Sequence, residues 1–203
     1  MSESIHMPKG PKKIVVFASG SGSNAEQIMT QAKSVTWAEV SAIYCNNPEA
    51  GVLQRAKRMG VPVRLFGNGQ LNDPDFVLSW LLQDAPDLIV LAGFLRKIPE
   101  FIVGNFPRRI VNIHPALLPE FGGKGMYGLH VHRAVKASGA QKTGITIHYV
   151  DAAYDEGAII FQADTPVTST DQPEDIARKV QGLEHKHFAT VVLNLLNPET
   201  HGH

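Results

Sequence analysis

Two polar side chains alternate with apolar ones in the run Ile110–His114, which reads IVNIH. In a β-strand this alternation sends Asn112 and His114 to one face and the apolar residues to the other. A histidine at that position can act as a general acid or stabilise a developing oxyanion, and an asparagine amide can donate a second hydrogen bond to the same oxygen. The pair therefore indicates catalysis at a carbonyl carbon, with a buried polar pair satisfied by the backbone as the alternative.

A histidine that must be protonated near neutral pH needs a carboxylate partner that raises its pKa. The acidic loop at residues 151–157 offers Asp151, Asp155 and Glu156. We select Asp155 as the partner of His114, although spacing alone does not separate the three carboxylates. The alternative is a solvated acidic loop without a catalytic role.

A glycine-rich segment at residues 19–24, which reads SGSGSN, follows a short apolar run and precedes a helical pattern. Backbone N–H groups in such a loop point outward at the positive end of the helix dipole, where a phosphate binds well. The segment also matches the dinucleotide pattern G-x-G-x-x-A, but that pattern needs an acidic residue about 20 positions later. The second predicted strand ends in Cys45-Asn46-Asn47 instead. The loop therefore favours a phosphate over NAD, and a structural turn is the alternative.

Short apolar runs and helical patterns alternate along the first half of the chain and predict the elements that position these residues. The predicted strands lie at residues 13–18, 40–45, 61–66, 87–92 and 110–114. One predicted helix follows the glycine loop, and two more lie at residues 52–59 and 76–82. The run at 87–92 lacks polar alternation, which is typical of a parallel strand that is covered on both faces.

The pattern changes in the second half. Residues 122–128 form a glycine-rich loop, strands at 143–150 and 159–163 are predicted to pair, and helices are predicted at 130–138 and 171–195. Asp171 and Glu174 have the spacing of a capping box at the start of the last helix.

This order of elements predicts an α/β fold, with a Rossmann-like, mostly parallel sheet flanked by helices and an antiparallel part near the C-terminus. Ligands of such sheets bind beyond the carboxyl ends of the strands, where the glycine loop and His114 both lie. We place a single domain at residues 13–197, with a disordered lead-in at 1–12 and a frayed tail at 198–203.

Length and composition exclude several classes of protein. With 203 residues, of which 43% are hydrophobic, the chain can fill one continuous core. Because 19 basic residues balance 19 acidic ones, neither nucleic acid nor an anionic membrane is expected as a partner. The longest apolar stretch, at 88–95, is too short to span a membrane. The single cysteine, Cys45, excludes an intramolecular disulfide and favours a cytoplasmic setting.

The chain has nine histidines, and two pairs of them, His130/His132 and His185/His187, are considered as ligands of a metal ion. On a helix, side chains two residues apart point roughly 200° away from each other, so neither pair suits one ion. We therefore predict no metal site.

Five motifs, spread in order over about residues 13–190, resemble the phosphoribosylglycinamide formyltransferase family. They are Ser19-Gly-Ser-Gly-Ser-Asn24, Leu91-Ala-Gly-Phe-Leu-Arg96, Asn112-Ile-His-Pro-Ala-Leu-Leu-Pro119, Gly144-Ile-Thr-Ile-His-Tyr-Val150 followed by Asp155, and Gln181-Gly-Leu-Glu-His185. The resemblance implies a single-domain formyltransferase fold. It also implies transfer of the formyl group of 10-formyltetrahydrofolate to the amine of glycinamide ribonucleotide in purine synthesis, with 10-formyltetrahydrofolate as cosubstrate.

The resemblance also implies a role for each site residue. His114 is expected to act as proton donor and oxyanion partner, Asn112 to orient the formyl oxygen, and Asp155 to sustain the charged form of His114 and move protons through water. Other residues are expected to hold the substrates. Gly22, Ser23 and Asn24 are expected to bind the phosphate of glycinamide ribonucleotide, and Glu184 its ribose. The residues expected to border the folate are Leu95, Arg96, Lys97, Ile98 and Asn112.

Two other functions stay open at this point. A hydrolase of the same group would pass the formyl group to water, and a non-catalytic phosphate or nucleotide sensor would keep the glycine loop without needing Asn112, His114 and Asp155 together. The chain also departs from the family, because Glu120 stands where members often have a basic residue and residues 122–128 look like an insertion. The sequence predicts no oligomeric state.

Overall fold

Seven strands form one sheet at the centre of the fold. The computed structural model describes residues 10–151 and 155–198. The strands are β1 (Lys12–Ala18), β2 (Ala38–Cys45), β3 (Val63–Leu65), β4 (Leu88–Leu91), β5 (Ile110–His114), β6 (Lys142–Tyr149) and β7 (Ile159–Pro166). They lie in the order β3-β2-β1-β4-β5-β6-β7. Neighbours from β3 to β5 are parallel, whereas β6 is antiparallel to both β5 and β7. The predicted fold class is confirmed.

Helices cover both faces of this sheet. They are α1 (Ser23–Ala32), α2 (Gly51–Met59), α3 (Asn68–Leu71), a π-helical turn (Pro74–Leu78) that continues into α4 (Ser79–Asp84), α5 (Glu100–Asn105), α6 (Leu129–Ser138) and α7 (Pro173–Asn194). One core layer holds side chains of α1, α2, α6 and α7, and the other holds those of α3, α4 and α5.

The central strand β1 shows why its sequence is apolar without interruption. Ile14 and Val16 pack into the first core layer, Val15 and Phe17 pack into the second, and all four are fully buried. Since both faces of the strand are covered, neither face selects polar residues.

The strand order also creates the crevice that positions the site. From β1 the chain builds β2 and β3 on one side and then returns to place β4 on the other side. The carboxyl ends of β1 and β4 therefore meet at a topological switch point, the usual ligand-binding place in such sheets. There the Ser19 N–H donates to the carbonyl of Gly93 at 3.1 Å.

One strand and one helix differ from their predicted bounds, and two helices were not predicted. The third strand spans 63–65 rather than 61–66, because the Val61 N–H still donates to Ala56 O as part of the C-terminal cap of α2. The last helix begins at Pro173, whose missing N–H suits the first helical position, so its cap is Gln172. The helices α3 and α5 were not predicted, because each spans only six residues or fewer.

The expected capping box of the last helix is therefore shifted by one residue. The Asp175 carboxylate accepts from the Gln172 N–H at 2.8 Å. Asp171 instead accepts from the Thr168 N–H at 2.7 Å and from Lys179 Nζ at 2.6 Å.

Two predictions fall largely outside the described residues. These are the lead-in at 1–12, of which residues 1–9 are not described, and the tail at 198–203, of which residues 199–203 are not described. Within the described part of the chain, we find no helix with the length and apolar character that crossing a membrane requires.

Candidate active site

A cavity of about 750 Å³ opens at the carboxyl ends of β1, β4 and β5. Its lining includes most of the side chains predicted from the sequence. They are Asn24, Leu95, Arg96, Lys97, Ile98, Asn112, His114, Asp155 and Glu184. Gly22 and Ser23 do not line the cavity themselves and precede Asn24 at the start of α1. The fold thus brings residues that are up to 160 positions apart in sequence to one place.

The glycine loop is held tightly against its neighbours. Gly22 adopts a left-handed conformation, with φ of 76°, as the N-cap of α1. A Cβ at this position would lie 2.5 Å from Cβ of Val52, so only glycine fits. Ser19 Oγ donates to Asn46 Oδ1 at 2.7 Å and accepts from the Leu95 N–H at 3.1 Å, which ties the ends of three strands together.

Asn24 and Glu184 join α1 to α7 at the cavity wall. Asn24 Nδ2 donates to Glu184 Oε2 at 2.8 Å. Burial raises the pKa of Glu184 above its ordinary value, and the hydrogen bond from Asn24 opposes this shift. Asn24 Oδ1 is buried and has no hydrogen-bonding partner among the residues that the structure describes. The pair therefore places a carboxylate and a buried amide oxygen without a described partner in the wall of the cavity.

Asp155 lies between two histidines from adjacent strands. Its Oδ2 is 3.6 Å from His114 Nδ1, and its Oδ1 is 3.6 Å from His148 Nε2. The Gly123 N–H also donates to Asp155 Oδ2 at 2.9 Å. The antiparallel register of β5 and β6 places Asn112 opposite His148 and so assembles this cluster.

Hydrogen bonds to carbonyl oxygens assign the tautomers of both rings, since a carbonyl can only accept. His148 Nδ1 donates to Tyr149 O at 2.8 Å, so in the neutral ring Nε2 accepts from Asn112 Nδ2 at 3.1 Å. His114 Nε2 donates to Phe121 O at 2.8 Å. His148 thus orients the Asn112 amide, and the second hydrogen of Nδ2 is left for another acceptor.

Burial controls the charge of this cluster. Only 3% of His114 is exposed, and this burial lowers its pKa below the ordinary value, although Asp155 pulls in the opposite direction. The pKa of Asp155 is also low: burial alone would raise it, but His148, the Gly123 N–H and His114 outweigh the burial. Asp155 favours the charged form of His114, but the desolvation of the ring is the larger effect, so the role of Asp155 in keeping the ring charged stays a prediction.

Sequence reasoning missed His148 and Thr146 on the cavity side of β6. Thr146 is fully buried, and its Oγ1 donates to Ala116 O at 2.7 Å and accepts from the Leu118 N–H at 2.9 Å. It therefore holds the segment that follows His114. Alternation in Lys142–Tyr149 places Thr146 and His148 on one face, which was the available signal, but the register against β5 was not readable.

The described residues contain no group of three or more histidine, cysteine, aspartate or glutamate side chains that could hold a metal ion. Cys45 is buried and free.

Comparison with known proteins identifies the family. Residues 12–192 match the family described as formyl transferase. The chain is 41% identical to the chloroplastic phosphoribosylglycinamide formyltransferase of Arabidopsis thaliana over 93% of its own length, and it spans 66%, just under two thirds, of that relative. It is 36% identical to the phosphoribosylglycinamide formyltransferase of Bacillus subtilis, with 94% of this chain and 98% of the relative covered.

A solved structure agrees with these relatives. The crystal structure of phosphoribosylglycinamide formyltransferase from Bacillus halodurans superposes with a TM-score of 0.83 at 34% identity, and the match covers 93% of this chain and 97% of that one. With the family match across most of the sequence and the same fold in a solved relative, this chain belongs to the formyl transferase family.

Proposed function

We propose that this chain transfers the formyl group of 10-formyltetrahydrofolate to the amine of glycinamide ribonucleotide, giving formylglycinamide ribonucleotide and tetrahydrofolate in purine biosynthesis. One observation supports the proposal: Asn112, His114 and Asp155 line the same cavity as Glu184 and Asn24, the last residue of the glycine loop. The names of the relatives from Arabidopsis thaliana and Bacillus subtilis support the same reaction.

In this proposal the glycine-loop end binds the ribonucleotide. The backbone N–H groups of Gly22, Ser23 and Asn24 receive the phosphate at the positive end of α1. Glu184 accepts from the ribose hydroxyls. Its hydrogen bond from Asn24 keeps the carboxylate oriented toward the cavity.

The folate occupies the end of the cavity that follows β4. Leu95, Arg96, Lys97 and Ile98 border it, and Leu95 is 53% exposed, so an apolar surface is available to a ring system. Asn112 lies on the next strand of the sheet and contacts the formyl group. The folate is a substrate in this scheme rather than a resident cofactor, and no metal takes part.

The chemistry follows from the geometry of the cluster. Attack of the amine on the formyl carbon forms a tetrahedral intermediate with a negative oxygen, to which the Asn112 amide and the His114 ring each donate. Removing one such donor typically costs about 3 to 4 kcal/mol of barrier. The bond from the formyl carbon to the folate N10 then breaks, and a proton passes from the attacking nitrogen to N10. Asp155 is placed to relay the proton from the attacking nitrogen through water, and His114 is the group that donates a proton to N10.

The low pKa of His114 refines its role. The ring is neutral near pH 7 and stabilises the oxyanion as a hydrogen-bond donor. When the ring is protonated during turnover, the same burial makes it a stronger acid toward N10. To reach the substrate, Nε2–H exchanges its present acceptor, Phe121 O, for a substrate atom.

The test is the formation of tetrahydrofolate from 10-formyltetrahydrofolate by purified protein, with and without glycinamide ribonucleotide. The proposal predicts conversion only when the ribonucleotide is present. Conversion without it would make water the acceptor and the protein a hydrolase. No conversion by folded protein in either reaction would favour a phosphate sensor. A cytoplasmic setting stays a prediction of the sequence.

A further inference from the structure

One guanidinium bridges the glycine loop and the first turn of α1. Arg55, on α2, donates from Nε to the carbonyl oxygen of Ser21 at 2.8 Å, and its Nη1 is bonded to Glu26 Oε2. The side chain of Arg55 is 28% exposed, and its pair with Glu26 is part-buried, whereas the hydrogen bond to Ser21 is exposed. Arg55 thus holds two successive parts of the proposed phosphate site in one arrangement.

The rest of α2 supports the loop from the same side. The Val52 N–H donates to Gly20 O at 3.1 Å, and the Val52 side chain fills the space that a side chain at residue 22 would need. A Cβ at Gly51 would lie 3.1 Å from Ser21 O, so the start of α2 lies almost directly against the loop. Arg55 adds the only side-chain hydrogen bond from α2 to this loop within the described residues.

Charge gives Arg55 a second effect. Glu26 lies in the first turn of α1, where its negative charge repels an anion bound to the loop. Arg55 and Arg58 both pair with this carboxylate, Arg58 at 2.8 Å between Nη2 and Oε1. The side chain of Arg55 is the less exposed of the two, so its charge offsets that of Glu26 beside the loop, whereas the charge of Arg58, which is 63% exposed, is screened by water.

We infer that Arg55 is a positioning residue for the substrate phosphate. By holding the Ser21 carbonyl and the Glu26 carboxylate on the α2 side, it directs the N–H groups of the loop toward the cavity and offsets the negative charge in the first turn of α1. The inference rests on the proposed function, because it assigns Arg55 to the binding of the ribonucleotide.

The planar guanidinium is needed for this task because its nitrogens lie in a fixed fork. A lysine at position 55 could pair with Glu26 but could not keep both contacts at once. Arg55→Lys therefore separates the charge from the hydrogen bond to the loop. Arg58→Ala is the matched control, since Arg58 pairs with the same carboxylate, is 63% exposed and, within the described residues, does not bond to the loop.

The experiment measures the Kd and KM for glycinamide ribonucleotide and kcat in these three variants. We expect Arg55→Ala to raise Kd and KM about tenfold or more with kcat nearly unchanged, as for the loss of a charge-assisted hydrogen bond. Arg55→Lys should fall between Arg55→Ala and wild type. Arg58→Ala should change Kd by less than about twofold, because exposed pairs contribute little.

Amide hydrogen exchange provides a readout that needs no turnover. Arg55→Ala should speed the exchange of the amides at residues 20–24, and Arg58→Ala should not. Unchanged exchange together with a wild-type Kd in Arg55→Ala would overturn the inference while leaving the proposed function intact. If wild-type protein does not bind the ribonucleotide at all, the proposed function fails and the assignment of Arg55 to the phosphate fails with it.

Discussion

Glycines adopt the left-handed backbone at both ends of the cavity, Gly22 at one and Gly123 at the other, but the end with Asp155 also holds two other residues in it, Phe121 and Asp155, with φ of 56° and 57°. A glycine adopts this conformation at little cost, but other residues keep it only where the surrounding structure holds them there. Asp155 is held by the Gly123 N–H and by the two rings beside it.

The two ends also use different chemical groups. The glycine-loop end presents backbone N–H groups on a parallel βα unit, and α2 supports them from behind. The other end, which holds Asn112, His114 and Asp155, presents buried side chains beside the antiparallel pair β5 and β6. The charge of His114 depends on its burial. From this difference we expect the loop to contribute mainly to substrate binding and the side chains mainly to turnover. Variants that separate kcat from KM test this division.

The largest effect is expected from His114→Ala. This change removes an oxyanion donor and the proposed proton donor together, so kcat should fall by about three to four orders of magnitude. Steady-state kinetics measure the loss, and thermal unfolding checks that the fold is retained. His187→Ala is the control, because His187 lies on α7 and does not line the cavity, and it should keep the wild-type rate. A His114→Ala protein with near-normal kcat would refute the role of this ring.

Asp155→Asn should lower kcat by about two to three orders of magnitude, because the amide still accepts from the Gly123 N–H but lacks the charge that moves the proton. Glu156→Gln changes the neighbouring acidic residue, which is exposed, and should leave kcat close to wild type. Equal losses in the two variants would mean that the general charge of the loop matters rather than Asp155 itself.

Gly22→Ala should raise the KM for glycinamide ribonucleotide about tenfold or more, since the added Cβ collides with Val52 and displaces the loop. Gly60→Ala is a matched control. Gly60 also has a positive φ, 69°, but an added Cβ there meets no described atom within 4 Å. Both variants should lose stability, and only Gly22→Ala should change KM. If KM rises equally in both, backbone strain rather than the loop position explains the effect.

The smallest effect concerns pH and stability. Because the folded pKa of His114 is lowered, the unfolded chain binds this proton more readily, so stability is lost as pH falls below the unfolded value of about 6.5. His114→Gln cannot titrate. Urea unfolding at pH 7.5 and 5.5 should therefore show a larger drop in the free energy of unfolding for wild type, by about 1.4 kcal/mol at most. A larger drop in the variant would contradict the direction of the shift.

The sequence predicted the sheet and the glycine loop because their signals are local. An apolar run such as residues 87–92 predicts a strand from a few consecutive residues, and the glycines at 20 and 22 predict a turn in the same way. The alternation in Ile110–His114 likewise predicted that Asn112 and His114 share a face, and both line the cavity.

The remaining features depend on how distant elements meet. The bond between Asn112 and His148 follows from the register of β5 against β6, and the contact of Arg55 with Ser21 follows from the docking of α2. Neither is encoded in the spacing of residues along the chain. The direction of the His114 pKa depends on how deeply the ring is buried, which residue type alone does not reveal.

The most direct test of the account follows the formyl carbon itself. Wild-type protein is mixed with glycinamide ribonucleotide and 10-formyltetrahydrofolate labelled with carbon-13 in the formyl group, and NMR follows the label. The proposed reaction moves the label to an amide of the ribonucleotide, and His114→Ala should nearly abolish this transfer. Release of the label as formate, or its retention on the folate in the presence of folded wild-type protein, would contradict the account.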